Sequence, residues 1–232
     1  MVITFHELVF DDRLPQNASA ETHVFLVDVN DVGAYASKLI DKLNDTSWIA
    51  KLAPVPRVSY ETIAMRTAAR LVQIFQTADG QIGSEFGEYM ISMSAGDCLE
   101  GSLSHKILPI SELWKEKVTG NPGFDFHTET HHDRISFGEA KYSSNQNPYT
   151  DAAEQVHRFI QEGKDRMDAV HLNHLAGATA VASLLNGSKG LAIAFSVHSE
   201  DHAAILNNAL ASDLVQQLSC LSDELYVIGV RA

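Results

Sequence analysis

The chain has 232 residues, 45% hydrophobic and 20% charged, enough for one large packed domain or for a core with an added lobe. Thirty acidic against seventeen basic residues give a net charge of −13, which argues against a protein that grips nucleic acid unaided, because phosphate neutralisation supplies most of such affinity. No apolar stretch approaches the ~18 residues of a membrane span, and the N-terminus lacks the basic flank and apolar run of a secretion signal, so a cytoplasmic protein is expected.

In chain order, apolar runs predict strands over 2–10 and 23–29, the second alternating as a half-buried strand does. Asn30 and Asp31 offer a cap for a helix through Leu43, where Tyr35, Leu39, Ile40 and Leu43 recur at helical spacing. Residues 1–55 therefore form a small N-terminal α/β lobe, with a boundary at Pro54 and Pro56. Helices are expected over 59–76, closed by Asp79-Gly80, and over 82–94, closed by Ala95-Gly96. An extended stretch over 98–109 and a short helix over 111–117 follow. Next comes a hairpin of 124–126 and 134–142, with 127–133 as its polar loop. Thr150 or Asp151 caps a helix through Gln161; helices over 165–185 and 200–218 alternate with strands over 191–197 and 225–230. Neither repeats nor low-complexity tracts occur. Cys98 and Cys220 fit no CxxC metal pattern and read as buried free thiols.

The chemistry is concentrated in residues 123–141. Strand alternation puts Glu139 and Lys141 on one face and Ala140 on the other, and the hairpin brings Asp125 beside Glu139. Two carboxylates and an ammonium then share one patch. Hard oxygen ligands in this number suit Mg²⁺, with Mn²⁺ as a substitute, leaving coordination positions for water and phosphate oxygens. Glu139 lies between Phe137, Gly138 and Ala140, where a charge needs a partner. Lys141 is placed to hold a water and offset charge on a phosphoryl transition state. A turn for Asp125, a salt bridge for Glu139 and a solvated strand end for Lys141 are the plain structural uses of the same residues. His127, His131, His132 and Asp133 spell a weak zinc pattern, better read as solvated hairpin residues. Arg66 and Arg70 share a helical face that suits an ordinary solvated surface. There is no Gly-x-Ser-x-Gly elbow and no phosphate-binding Gly-x4-Gly-Lys-Ser/Thr loop.

An Asp followed one hairpin later by Glu-x-Lys resembles the PD-(D/E)xK nuclease superfamily, over roughly residues 85–230. Gly-Phe-Asp125, Phe-Gly-Glu139-Ala-Lys141-Tyr and Gly83-Ser-Glu-Phe-Gly-Glu88 look most like the nuclease subunit of Hachiman anti-phage defence systems. The resemblance implies an α/β fold with a restriction-endonuclease-like core over 56–232, a central mixed sheet flanked by helices. It implies a Mg²⁺-dependent DNA nuclease serving as effector beside a helicase-like ATPase. It adds to Asp125 and Glu139 the Ala140 backbone carbonyl and a helix Glu as metal ligands. The motif does not choose between Glu85 and Glu88, although Gly87, allowing close helix packing, favours Glu88. Gln155 occupies a place where some members orient substrate, but Phe159 stands where those members carry Tyr. Two other readings stay open: a catalytically inactive nuclease-fold binding or regulatory subunit, and a metal-dependent hydrolase of small phosphoesters.

Overall fold

The computed structural model describes residues 1–9, 12–76, 83–115 and 123–232. Its elements run β1 (Val2–Val9), β2 (Glu21–Asp28), α1 (Val32–Asn44), α2 (Ser47–Ala50), α3 (Pro54–Gln76), α4 (Ser84–Leu103), β3 (Lys106–Ile107), a 3₁₀ turn (Ser111–Leu113), β4 (Phe126–Glu129) and β5 (Ile135–Lys141). There follow α5 (Tyr149–Gln161), α6 (Lys164–Leu175), α7 (Ala178–Leu185), β6 (Gly190–Ser196), α8 (His202–Leu210), α9 (Asp213–Leu221) and β7 (Glu224–Arg231).

Among the described residues one mixed sheet takes the order β1-β2-β7-β6-β5-β4-β3. Its centre, β2-β7-β6-β5, is parallel; β1 and the β5-β4-β3 edge are antiparallel. β6 and β7 are almost wholly buried and read as continuous apolar runs because helices cover both faces. One core lies between the sheet and α1–α4, built on Phe25, Ala140, Ala192, Ala194 and Ile228. The other lies under α5–α9, built on Phe137, Leu191, Ile193, Phe195 and Val227. Small sheet residues on the first face let α4 lie close, and α4 is buried over most of Phe86–Leu99. Among the described residues no helix is long and apolar enough to cross a membrane.

Several elements differ from their sequence reading. β2 pairs in parallel with β7, so the sheet runs across the expected boundary at residue 55. Pro54 and Pro56 open α3 rather than preceding it: in a first turn a missing N–H breaks no helical bond. The stop expected at Ala95-Gly96, and the extended segment from Cys98, give way to a helix running to Leu103. Burial holds Ala95 and Gly96 in the helix, which ends where Ser104 turns left-handed at φ 57°. The helix expected over 165–185 divides at Gly177, whose N–H donates to Glu129 Oε2 at 2.9 Å; a Cβ there would meet that carboxylate at 2.5 Å. The helix expected over 200–218 divides likewise, Asp201 capping α8 and Ser212 capping α9. Pro148, not Thr150 or Asp151, sits at the N-cap of α5. β4 takes in His127 and Thr128, so the hairpin loop shrinks to 130–134. The expected stop at Asp79-Gly80, Ile82, the end of the first strand at Phe10, and residues 116–117 of the short helix lie outside the described residues. Cys98 and Cys220 are free thiols, Cys98 buried and pushed up to about 12 by that burial.

Candidate metal and phosphoryl-transfer site

The site is made where β4 and the C-terminal end of β5 meet, the region of an α/β sheet where backbone ends leave room for ligands. Gly138 decides how closely they approach. A Cβ there would lie 2.2 Å from Phe126 Cζ, so only glycine lets the Phe126 ring lie across β5. With Phe126 opposite Gly138, Asp125 falls opposite Glu139. The Asp125 N–H donates to the Gly138 carbonyl at 2.9 Å, and its Oδ2 accepts from the Ala140 N–H at 2.9 Å. Half of the Asp125 carboxylate is thus spent fixing its own position, as the turn reading anticipates.

Glu139 is fully buried. Its Oε1 accepts from Lys141 Nζ at 2.6 Å, while Oε2 receives no N–H donor and the Asp125 carboxylate lies against the same carboxyl. Burial first, and the Asp125 carboxylate second, raise the Glu139 carboxyl well above the ordinary glutamate value. Two ionised carboxylates have no proton to share, so their contact holds only when one is protonated or a cation lies between them. Burial alone would lower the Lys141 ammonium, but Glu139, Asp125 and, more weakly, Glu88 outweigh it and raise it. Lys141 is therefore a cation at neutral pH.

Asp125, Glu139 and Lys141 are brought together. Glu88, half-buried on α4, is near enough for its charge to act on Lys141, and Gly87 packs beneath the Tyr142 ring, where a Cβ would meet Cγ at 2.3 Å. Glu85 is exposed and pairs with Arg70 at 2.6 Å. Gln155 is half-buried on α5, which packs against β5 and β6. Among the described residues no three His, Cys, Asp or Glu side chains are placed to hold a metal ion together. The donor set on hand is two hard carboxylates, one with a buried oxygen lacking a donor. That set fits Mg²⁺, which keeps several of its waters and needs only one or two carboxylates.

The zinc pattern does not assemble: His127 is buried in β4 and turned to Asp168, whereas His132 pairs with Glu224. Sequence reading missed Tyr89, whose phenol is raised by burial and by Glu112 and also feels Asp125, and missed the Lys115–Asp168–His127 cluster beside the hairpin. The available signal was Asp165 and Asp168, two acids three apart on a helix otherwise read as core. A cavity of about 510 Å³ between α2, α4 and β3 is lined by Trp48, Leu52, Met93, Ile107 and Phe126, and by none of the three site residues.

No family model matches this chain, and no curated protein or solved structure matches it.

Proposed function

We propose that this protein is a Mg²⁺-dependent DNA nuclease of the PD-(D/E)xK type, cutting phosphodiester bonds as the effector of an anti-phage defence complex with a helicase-like ATPase. One observation carries the reading: Asp125 and Glu139 face each other across a hairpin, Glu139 Oε2 is buried without a donor, and Lys141 is bonded to the other oxygen. The finer fold assignment, a restriction-endonuclease-like core, belongs to the same reading. It is supported by the succession of α4, the antiparallel β3-β4-β5, α5 and the parallel β6.

Asp125 and Glu139 would hold the ion, with the Ala140 carbonyl as a further donor and Glu88 acting through its charge. When bound, Mg²⁺ would supply Lewis-acid polarisation of the phosphodiester. Glu139 would exchange its proton for the cation and release Lys141 Nζ. That ammonium, already protonated, cannot take a proton from water; it can orient the attacking water and offset charge on the phosphoryl oxygens. The net charge of −13 supports delivery of DNA by a partner, and equally favours small phosphoesters as the substrate of a second reading.

Incubating the chain with Mg²⁺ on linear and circular DNA, with and without the product of its neighbouring gene, tests the proposal. Cleavage lost in Glu139→Ala and Lys141→Ala is the expected result. Cleavage that survives both substitutions would overturn it, and turnover of small phosphoesters without DNA cleavage would select the second reading.

A further inference from the structure

Asp125 is flanked on both sides by contacts to a buried charge cluster. Lys115, just after the 3₁₀ turn, donates from Nζ to both oxygens of Asp168 on α6, at 2.8 and 2.9 Å. His127, two residues after Asp125, pairs through Nε2 with Asp168 Oδ2 at 3.2 Å. Gly123, two residues before Asp125, passes against the same lysine: a Cβ there would lie 2.6 Å from Lys115 Nζ, so a side chain would push the ammonium off Asp168. Asp168 is 6% and His127 0% exposed. Trp114 lies 5.0 Å under the Lys115 ammonium and packs on both His127 and His171, and Tyr60 of α3 hydrogen-bonds His171 at 2.8 Å. The cluster is thus braced by Trp114 nearby in sequence and by α3 and α6, both distant from Asp125 along the chain.

A buried carboxylate holding a cation and an imidazole in fixed directions is stiffer than any contact a surface loop supplies, because Asp168 and His127 have almost no access to water. Asp125 itself is tied to β5 by two backbone bonds, its N–H to the Gly138 carbonyl and the Ala140 N–H to its Oδ2. We propose that Asp168, acting through Lys115 and His127, is a positioning residue for Asp125, clamping 123–127 against β5 so that the Asp125–Glu139 pair keeps the spacing a divalent cation needs. The inference rests on the reading of that pair as a metal site, although the clamp is a mechanical claim with its own readout.

Asp168→Asn keeps the shape and one acceptor oxygen while removing the charge. Hydrogen exchange on the full chain should then quicken about tenfold over 123–129 and stay unchanged over 190–196 and 224–231. Mn²⁺ affinity by calorimetry should fall about tenfold, as when a metal ligand loses its supporting contact. The Mg²⁺ concentration for half-maximal cleavage should rise more than kcat at saturating Mg²⁺ falls. Equal exchange over 123–129, or exchange quickened evenly in every strand, overturns the clamp. If wild type neither binds Mn²⁺ nor cuts DNA, the function proposed above fails while the exchange result still decides the clamp. Lys115→Gln, at a side chain 24% exposed, gives the same exchange readout should the Asp168 variant not fold.

Discussion

Replacing Glu139 by Gln should stabilise the metal-free protein while abolishing Mg²⁺-dependent cleavage. The amide keeps an oxygen for Lys141 Nζ, now 2.6 Å from Oε1, and places an N–H where Oε2 has no donor and Asp125 offers an acceptor. A buried polar atom without a partner costs about 1–3 kcal/mol, and here the neighbouring Asp125 charge adds to the cost while Lys141 offsets part of it. A net gain of about 2 kcal/mol raises Tm by about 4–8 °C in a domain of this size. The sign with pH follows from the raised carboxyl: stability is fully present below the unfolded value of 4.5 and is lost as pH rises through the folded value. The advantage of Gln should therefore vanish near pH 4.5 and grow as pH rises through the folded value. Thermal unfolding in EDTA across that range measures it, and Mn²⁺ should stabilise wild type alone. A Gln variant less stable than wild type at alkaline pH would refute the reasoning, because it would make Glu139 a structural ion-pair partner of Lys141.

Metal binding should release a proton from Glu139, weakening up to about tenfold for each pH unit below its folded value; calorimetry in buffers of different ionisation enthalpy reads the proton. Lys141→Arg should fail to restore the cleavage that Lys141→Ala loses, since a planar fork cannot replace a compact ammonium bonded to one Glu139 oxygen; single-turnover rates at saturating Mg²⁺ compare them. Gly138→Ala should cost about 1–3 kcal/mol by driving its methyl into Phe126, and adding Phe126→Leu should recover part of the loss in denaturant unfolding. Acidification should act with the opposite sign at His105: burial lowers it to about 4, so stability is lost as pH falls from 6.5 towards that value, and His105→Gln should flatten the loss.

What the sequence by itself determined is local. The two-residue period of β5 and a short polar interval to Asp125 were enough to place Asp125, Glu139 and Lys141 together, because alternation and hairpin closure depend on near neighbours. The 3.6 period found α1, and the helix expected over 59–76 covers most of α3. Tertiary structure decided the rest. Ala95-Gly96 has the letters of a helix stop, yet packing against the sheet carries α4 eight residues past Ala95 to Leu103. Glu85 and Glu88 are equivalent by spacing; only the placement of α3, which gives Glu85 to Arg70, leaves Glu88 as the one whose charge acts on Lys141. His127 looked like a loop residue and is a buried strand residue because Asp168, forty-one positions away, supplies its partner. Contacts of that range carry no period along the chain, since they are set by which faces of separate elements meet once both cores have formed.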